Sequence, residues 1–215
     1  MKTAQKGFTL VEIAIVLVII GLLLGGILKG QEMITQAKIK NVIADFSGIS
    51  AAYHGYQDRY RAIPGDDPNA LTRWGAPADP GDGNGVVGGT YNNAGAACAA
   101  TVEACSWWDH LRRSGFVSGS GVAQPFNALT GLIGVQTGDG AAGTAMGGFS
   151  GLIICSANLP NKIAIATDTQ MDDGEPDTGT VRGKAQATPN PNVDNTTDAS
   201  YAETGTNVYV LCRAL

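Results

Sequence analysis

Glu12 stands alone in an apolar run. It is the only ionisable side chain between Lys6 and Lys29, in the stretch KGFTLVEIAIVLVIIGLLLGGILK. A carboxylate so placed is expensive to desolvate, so a function and a partner of opposite charge are its default reading. Four cysteines, Cys98, Cys105, Cys155 and Cys212, all follow that run. Their even number, on the side presumed to be exported, points to two disulfides. Cys155 is expected to pair with Cys212, and Cys98 with Cys105. Residues 168–179, DTQMDDGEPDTG, gather five carboxylates over one loop. Hard oxygen ligands of this kind suit calcium, and Asp172, Asp173 and Asp177 are the expected set; a solvated turn is the competing reading. Asp82-Gly83-Asn84-Gly85 lacks the full D-x-[DN]-x-[DN]-G spacing and reads better as a turn. His110 has no cysteine or carboxylate partner at metal-ligand spacing and is expected at the surface.

The element that must position Glu12 is a helix. Residues 13–28 hold twelve Ile, Leu and Val residues. A helix over 8–28 would span roughly 30 Å, enough to cross a hydrocarbon core. Insertion is favoured by about 5 kcal/mol on the per-residue scale for such side chains. A carboxylate at the centre would cost roughly 2.5–3.5 kcal/mol on that scale, and Glu12 lies near the end, where the cost is lower. Lys2 and Lys6 resemble the basic region of a secretory signal, but no small-x-small cleavage site follows the run. The small residue precedes it instead, at Gly7.

Lys6-Gly7-Phe8-Thr9-Leu10-Val11-Glu12 resembles the processing site of type IV prepilins and pseudopilins. That resemblance implies cleavage between Gly7 and Phe8 by a prepilin peptidase that also methylates the new amino terminus at Phe8. It implies that Glu12 is the acidic residue used in assembly. It covers residues 6–30 sharply and is plausible to residue 60. Beyond that it is architectural. Many pilins carry a proline just after the apolar run, and this chain has Lys29 and glycines there. Gly21, Gly25, Gly26 and Gly30 form two overlapping G-x-x-x-G pairs, which allow close helix approach in a membrane. The acidic loop at 168–179 resembles acidic loops of exported prepilin-type proteins, some of which bind calcium in this region.

From residue 30 onward the helix changes character. Ile39, Val42, Phe46, Ile49, Tyr53, Tyr56 and Tyr60 recur at steps of three and four, which places them on one stripe. Packing on a sheet is expected for this stripe, with a coiled coil as the alternative. Residues 62–85 read as a long loop by their Pro, Gly, Asp and Asn content. A short helix is expected over 106–113, ended by Gly115, with Trp108, Leu111 and Phe116 against the core. Strands are expected at 132–136, 152–156 and 207–212, and a helix at 160–171.

The net charge is −5, or −7 once Lys2 and Lys6 leave with a leader, since 12 basic then face 19 acidic side chains. With no basic stripe, no nucleic acid partner is expected. No nucleophile elbow, phosphate loop, HExxH or CxxC is present, so no enzyme activity is expected. The fold class expected is α+β, the pilin fold: a long N-terminal helix packed on a small antiparallel sheet with long loops. Its expected parts are a leader (1–7), a transmembrane or filament-core helix (8–29), an amphipathic half (30–60) and a head domain (61–215). The function implied is a structural subunit of a type IV pilus-like filament for attachment or motility. A pseudopilin of a type II secretion system is the alternative, and a membrane-tethered enzyme or binding module the alternative of another class. The implied partners are copies of the chain, the prepilin peptidase, pilus assembly or type II secretion machinery, and the bacterial inner membrane before assembly. After assembly the implied location is an extracellular pilus or a periplasmic pseudopilus.

Overall fold

The computed structural model describes residues 7, 9–93, 102–140 and 143–215. Its elements in chain order are α1 (Leu10–Tyr60), α2 (Ala70–Trp74), α3 (Glu103–Arg113), β1 (Ile133–Thr137), β2 (Leu152–Pro160), α4 (Asn161–Met171), β3 (Val181–Ala185) and β4 (Val208–Ala214). Two compact units result, Met1–Ala37 and Lys38–Leu215.

From Leu10 onward the first unit is helical, and its described apolar side chains are uncovered. Leu10 is 90% exposed, Leu22 73% and Leu28 66%, values otherwise found for polar surface. This stretch is long and apolar enough to cross a membrane, with a mean hydropathy of 2.8 over its best window.

The second unit holds a four-stranded sheet in the order β1-β2-β4-β3, antiparallel at every pairing. Successive side chains of a strand point to opposite faces, so β2 and β4 feed two cores. Leu152, Ile154, Tyr209 and Leu211 face the larger core with α1, α3 and α4. Ile153, Cys155, Val210 and Cys212 face a smaller one with Tyr91, Met146 and Val193. Burial on both faces explains why these strands read as continuous apolar runs rather than alternating ones. A bulge between Ser156 and Leu159, with Asn158 at φ 59, switches the side-chain parity of β2, which lets Leu159 join the larger core.

The stripe on the later half of α1 is the heart of the larger core. Ile39, Val42, Phe46, Ile49, Tyr53 and Tyr56 are all buried, so the helix packs into the head as expected for a sheet partner. Each such fully buried side chain contributes about 1.5–3 kcal/mol. Trp107 and Trp108 of α3 are fully buried and meet edge to face, with ring centroids 5.0 Å apart. Phe116, expected against the core, is 37% exposed.

The strands and helices expected near 132–136, 152–156, 160–171 and 207–212 are present within a few residues, β2 running on to Pro160. The helix expected from 106 begins three residues earlier, at Glu103. The 62–85 segment contains the five-residue helix α2. Strand β3 was not expected at all.

Candidate functional site

Thr9 and Glu12 build the start of α1. The Thr9 amide and hydroxyl both donate to Glu12 Oε2 at 2.8 Å, and the Glu12 amide donates back to Thr9 Oγ1 at 3.3 Å. This is a capping box, in which a threonine before the helix and a glutamate three residues later satisfy each other's free amides. The sequence reading assigns Glu12 to assembly, with an intrachain contact that helps capping as the alternative, and the T-x-x-E spacing is the signal of the cap. Gly7 is exposed, and a Cβ added there would meet nothing within 4 Å. Phe8, the expected methylated residue, lies outside the described residues.

Cys155 and Cys212 are register partners on β2 and β4 and form a disulfide with Cα atoms 4.0 Å apart. The expected Cys98–Cys105 bridge involves Cys98, which lies outside the described residues.

The acidic loop after α4 is organised around Asp168, not Asp177. One oxygen from each of Asp168, Asp172 and Asp173 lies within 4.8 Å of the others. Asp168 is fully buried: Oδ2 accepts from the Tyr201 hydroxyl at 2.5 Å, and Oδ1 has no hydrogen-bond partner among the described residues. Burial pushes its carboxyl up to about 6, against the pull of the Tyr201 hydrogen bond. Asp172 Oδ2 accepts from the Thr180 and Val181 amides, and Asp173 from the Glu175 amide and the Thr178 hydroxyl. Asp177 is exposed and outside this cluster. The signal that would have found Asp168 is its place on the last turn of α4, four residues before Asp172.

Asp66, Asp82 and Glu103 also come within 4.8 Å of one another. Their oxygens are occupied: Asp66 accepts from the Gly83, Asn84 and Gly85 amides, Glu103 from the Asp82 and Gly88 amides, and Asp82 from the main-chain and side-chain amides of Asn84. The 82–85 segment is therefore a turn held by carboxylates, in line with its reading as turn chemistry.

His110 overturns its expected surface position. It is fully buried, its Nδ1 accepting from the Gly65 amide and its Nε2 facing the Asp79 carbonyl, both at 2.9 Å. Helix α3 is buried along most of its length, so no residue near its middle reaches solvent. Beside it Asp67, also buried, accepts from Tyr56 at 2.6 Å and pairs with Arg73 at 2.5 Å. Burial alone would raise the Asp67 carboxyl, but the hydrogen bonds from Tyr56 and Arg73 outweigh it and hold it below its ordinary value.

Residues 2–28 match the family model described as the prokaryotic N-terminal methylation motif. The chain therefore carries the motif of prepilin-type proteins, with Gly7, Phe8 and Glu12 inside the matched segment. A search of curated proteins returns no match. Among solved structures, the major type IV pilin PilA1 from Clostridium difficile is similar with a TM-score of 0.39 and 11% identity. The likeness covers 83% of this chain and 96% of that one.

Proposed function

We propose that the chain is a structural subunit of a type IV pilus-like filament, made as a prepilin, cut after Gly7 and polymerised through α1. The observation that carries this reading is the uncovered apolar surface of residues 10–28, inside the segment that matches the methylation motif. A lipid bilayer covers such a surface before assembly, and neighbouring copies of the same helix cover it afterwards. In this reading Glu12 Oε2 serves the cap, and the carboxylate charge remains available to the amino terminus of a neighbouring copy. Electron microscopy of sheared cell surfaces tests the proposal. Fibres that label with antibody to the head are expected, whereas protein found only in the membrane fraction would contradict surface fibres and favour the pseudopilin role.

We also propose that the acidic loop holds calcium, through Asp168, Asp172 and Asp173. The unpartnered, buried Asp168 Oδ1 beside two further carboxylates fits such an ion. Oxygens about 2.4 Å from one cation lie at most about 4.8 Å apart, and the three carboxylates fall within that limit. When bound, calcium would neutralise the clustered charge and fix the loop before β3. Calcium should raise the thermal midpoint of the full chain, and Asp168→Asn should abolish the gain. A midpoint indifferent to calcium and chelator would remove this site.

A further inference from the structure

The 62–85 segment leaves α1, forms α2 and returns, so its two arms run side by side against α3. Gly65 belongs to the outgoing arm and Asp79 to the returning one, and a single imidazole holds both. The outgoing arm is close to α3: a Cβ on Gly65, which sits at φ +83, would fall 2.4 Å from the Glu103 carbonyl oxygen. The two bonds define the protonation state of His110. An amide can only donate, so Nδ1 is bare; a carbonyl can only accept, so Nε2 carries the proton. The ring is neutral, in one tautomer, stacked on Tyr56 at 11° between planes and in contact with Trp74.

We infer that His110 is an acid-sensitive latch, holding both arms of the 62–85 segment on α3 while neutral and releasing them when it gains a second proton. A proton on Nδ1 would set two donors face to face and break the Gly65 bond. The new charge would also lie in a buried site without a free counter-ion among the described residues. The charged and titratable groups around it are Tyr56 from α1, Arg73 from α2, Asp67 from the outgoing arm and Asp109 from α3. Asp67 is already paired with Arg73, and Asp109 with Arg113 at 2.5 Å. Burial is the largest influence and keeps the imidazole below its ordinary value of 6.5, against the Asp79 carbonyl and the two aspartates. The sign follows. The open form binds the proton and the closed form does not, so the closed form is favoured above the ordinary imidazole value and disfavoured as pH falls below it.

Hydrogen exchange of the full chain in detergent micelles, read by mass spectrometry and corrected for intrinsic exchange rates, tests the latch. Each pH unit below about 6.5 should raise the open population about tenfold until the closed form itself protonates. Peptides from 62–85 should lose protection accordingly between about pH 6.5 and about pH 4.5, while those from β2 and β4 keep theirs. His110→Gln, which cannot titrate, should remove the pH dependence of the 62–85 peptides. Should that variant not fold, His54→Gln leaves His110 as the only histidine in the chain, and nitrogen NMR of its ring reads the same event. The ring should stay in the Nε2–H tautomer and protonate only as the 62–85 peptides open. Unchanged protection of 62–85 across that range, or an imidazole that protonates near pH 6.5 with the segment still protected, would overturn the latch.

Discussion

Thr9 donates to Glu12 twice, through its amide and its hydroxyl, so the carboxylate expected to join subunits also starts the helix that carries it. The two roles separate by mutation. Thr9→Ala removes the hydroxyl half of the cap and keeps the charge, at a cost of about 0.5–2 kcal/mol to the helix start, and should still yield filaments. Glu12→Ala removes the charge and the carboxylate half of the cap, and should be cleaved and inserted yet absent from filaments. In the proposed filament, a carboxylate left without its partner in a low-dielectric core would be strongly destabilising, so pairing would select the register of addition. Filament yield, compared by shearing and immunoblotting, is the readout. Normal fibres from the Glu12 variant would reduce Glu12 to a cap.

The Cys155–Cys212 bridge joins adjacent strands on the face of the smaller core and closes 57 residues of chain, including α4 and β3. In the chain-entropy model a loop of that length is worth about 4 kcal/mol. Replacing both cysteines with serine should lower head stability by about that amount in denaturant titrations. Peptide mapping without reduction should return Cys155 linked to Cys212. A Cys105–Cys155 peptide would contradict the pairing.

Asp67 predicts an acid limit for the head. Its carboxyl is held below its ordinary value of 3.8, so the folded form keeps the charged state better than the unfolded one. Its contribution to stability is therefore fully present above that ordinary value and is lost as pH falls through the lowered one. Asp67→Asn should cost about 1–3 kcal/mol near neutrality, because Arg73 and Tyr56 lose a charged acceptor. It should also flatten the fall in stability at the acid end. An acid slope identical to that of the parent chain would show that another group sets the limit.

The long helix, the buried stripe and the strands at 133–137, 152–160 and 208–214 were legible in the sequence, because apolar periodicity and turn residues mark them directly. Strand β3 was not legible. Its VRGKA offers one large apolar side chain, and the strand exists because β4 pairs with it, Gly183 lies against the Tyr201 ring, and Lys184 reaches Asp194 at 2.8 Å. His110 failed for a related reason: its partners are main-chain groups 45 and 31 residues away, and no side-chain spacing signals a main-chain bond. Asp168 is among the five carboxylates of 168–179 but outside the expected ligand set, although an aspartate on the last turn before an acidic loop is a readable signal. The cap at Thr9 was readable too, from a threonine and a glutamate three apart before an apolar run.

The central claim, that this chain is cut after Gly7 and built into fibres, is tested most directly at the amino terminus. Mass spectrometry of the first peptide from sheared fibres should show a chain that begins at Phe8 and carries one methyl group on its amine. The same measurement on Gly7→Leu should find only uncut precursor in the membrane, since a bulky side chain there would block entry to a constricted protease site. Fibres whose subunits retain Met1–Gly7, or a Gly7→Leu chain that still matures to Phe8, would contradict the account.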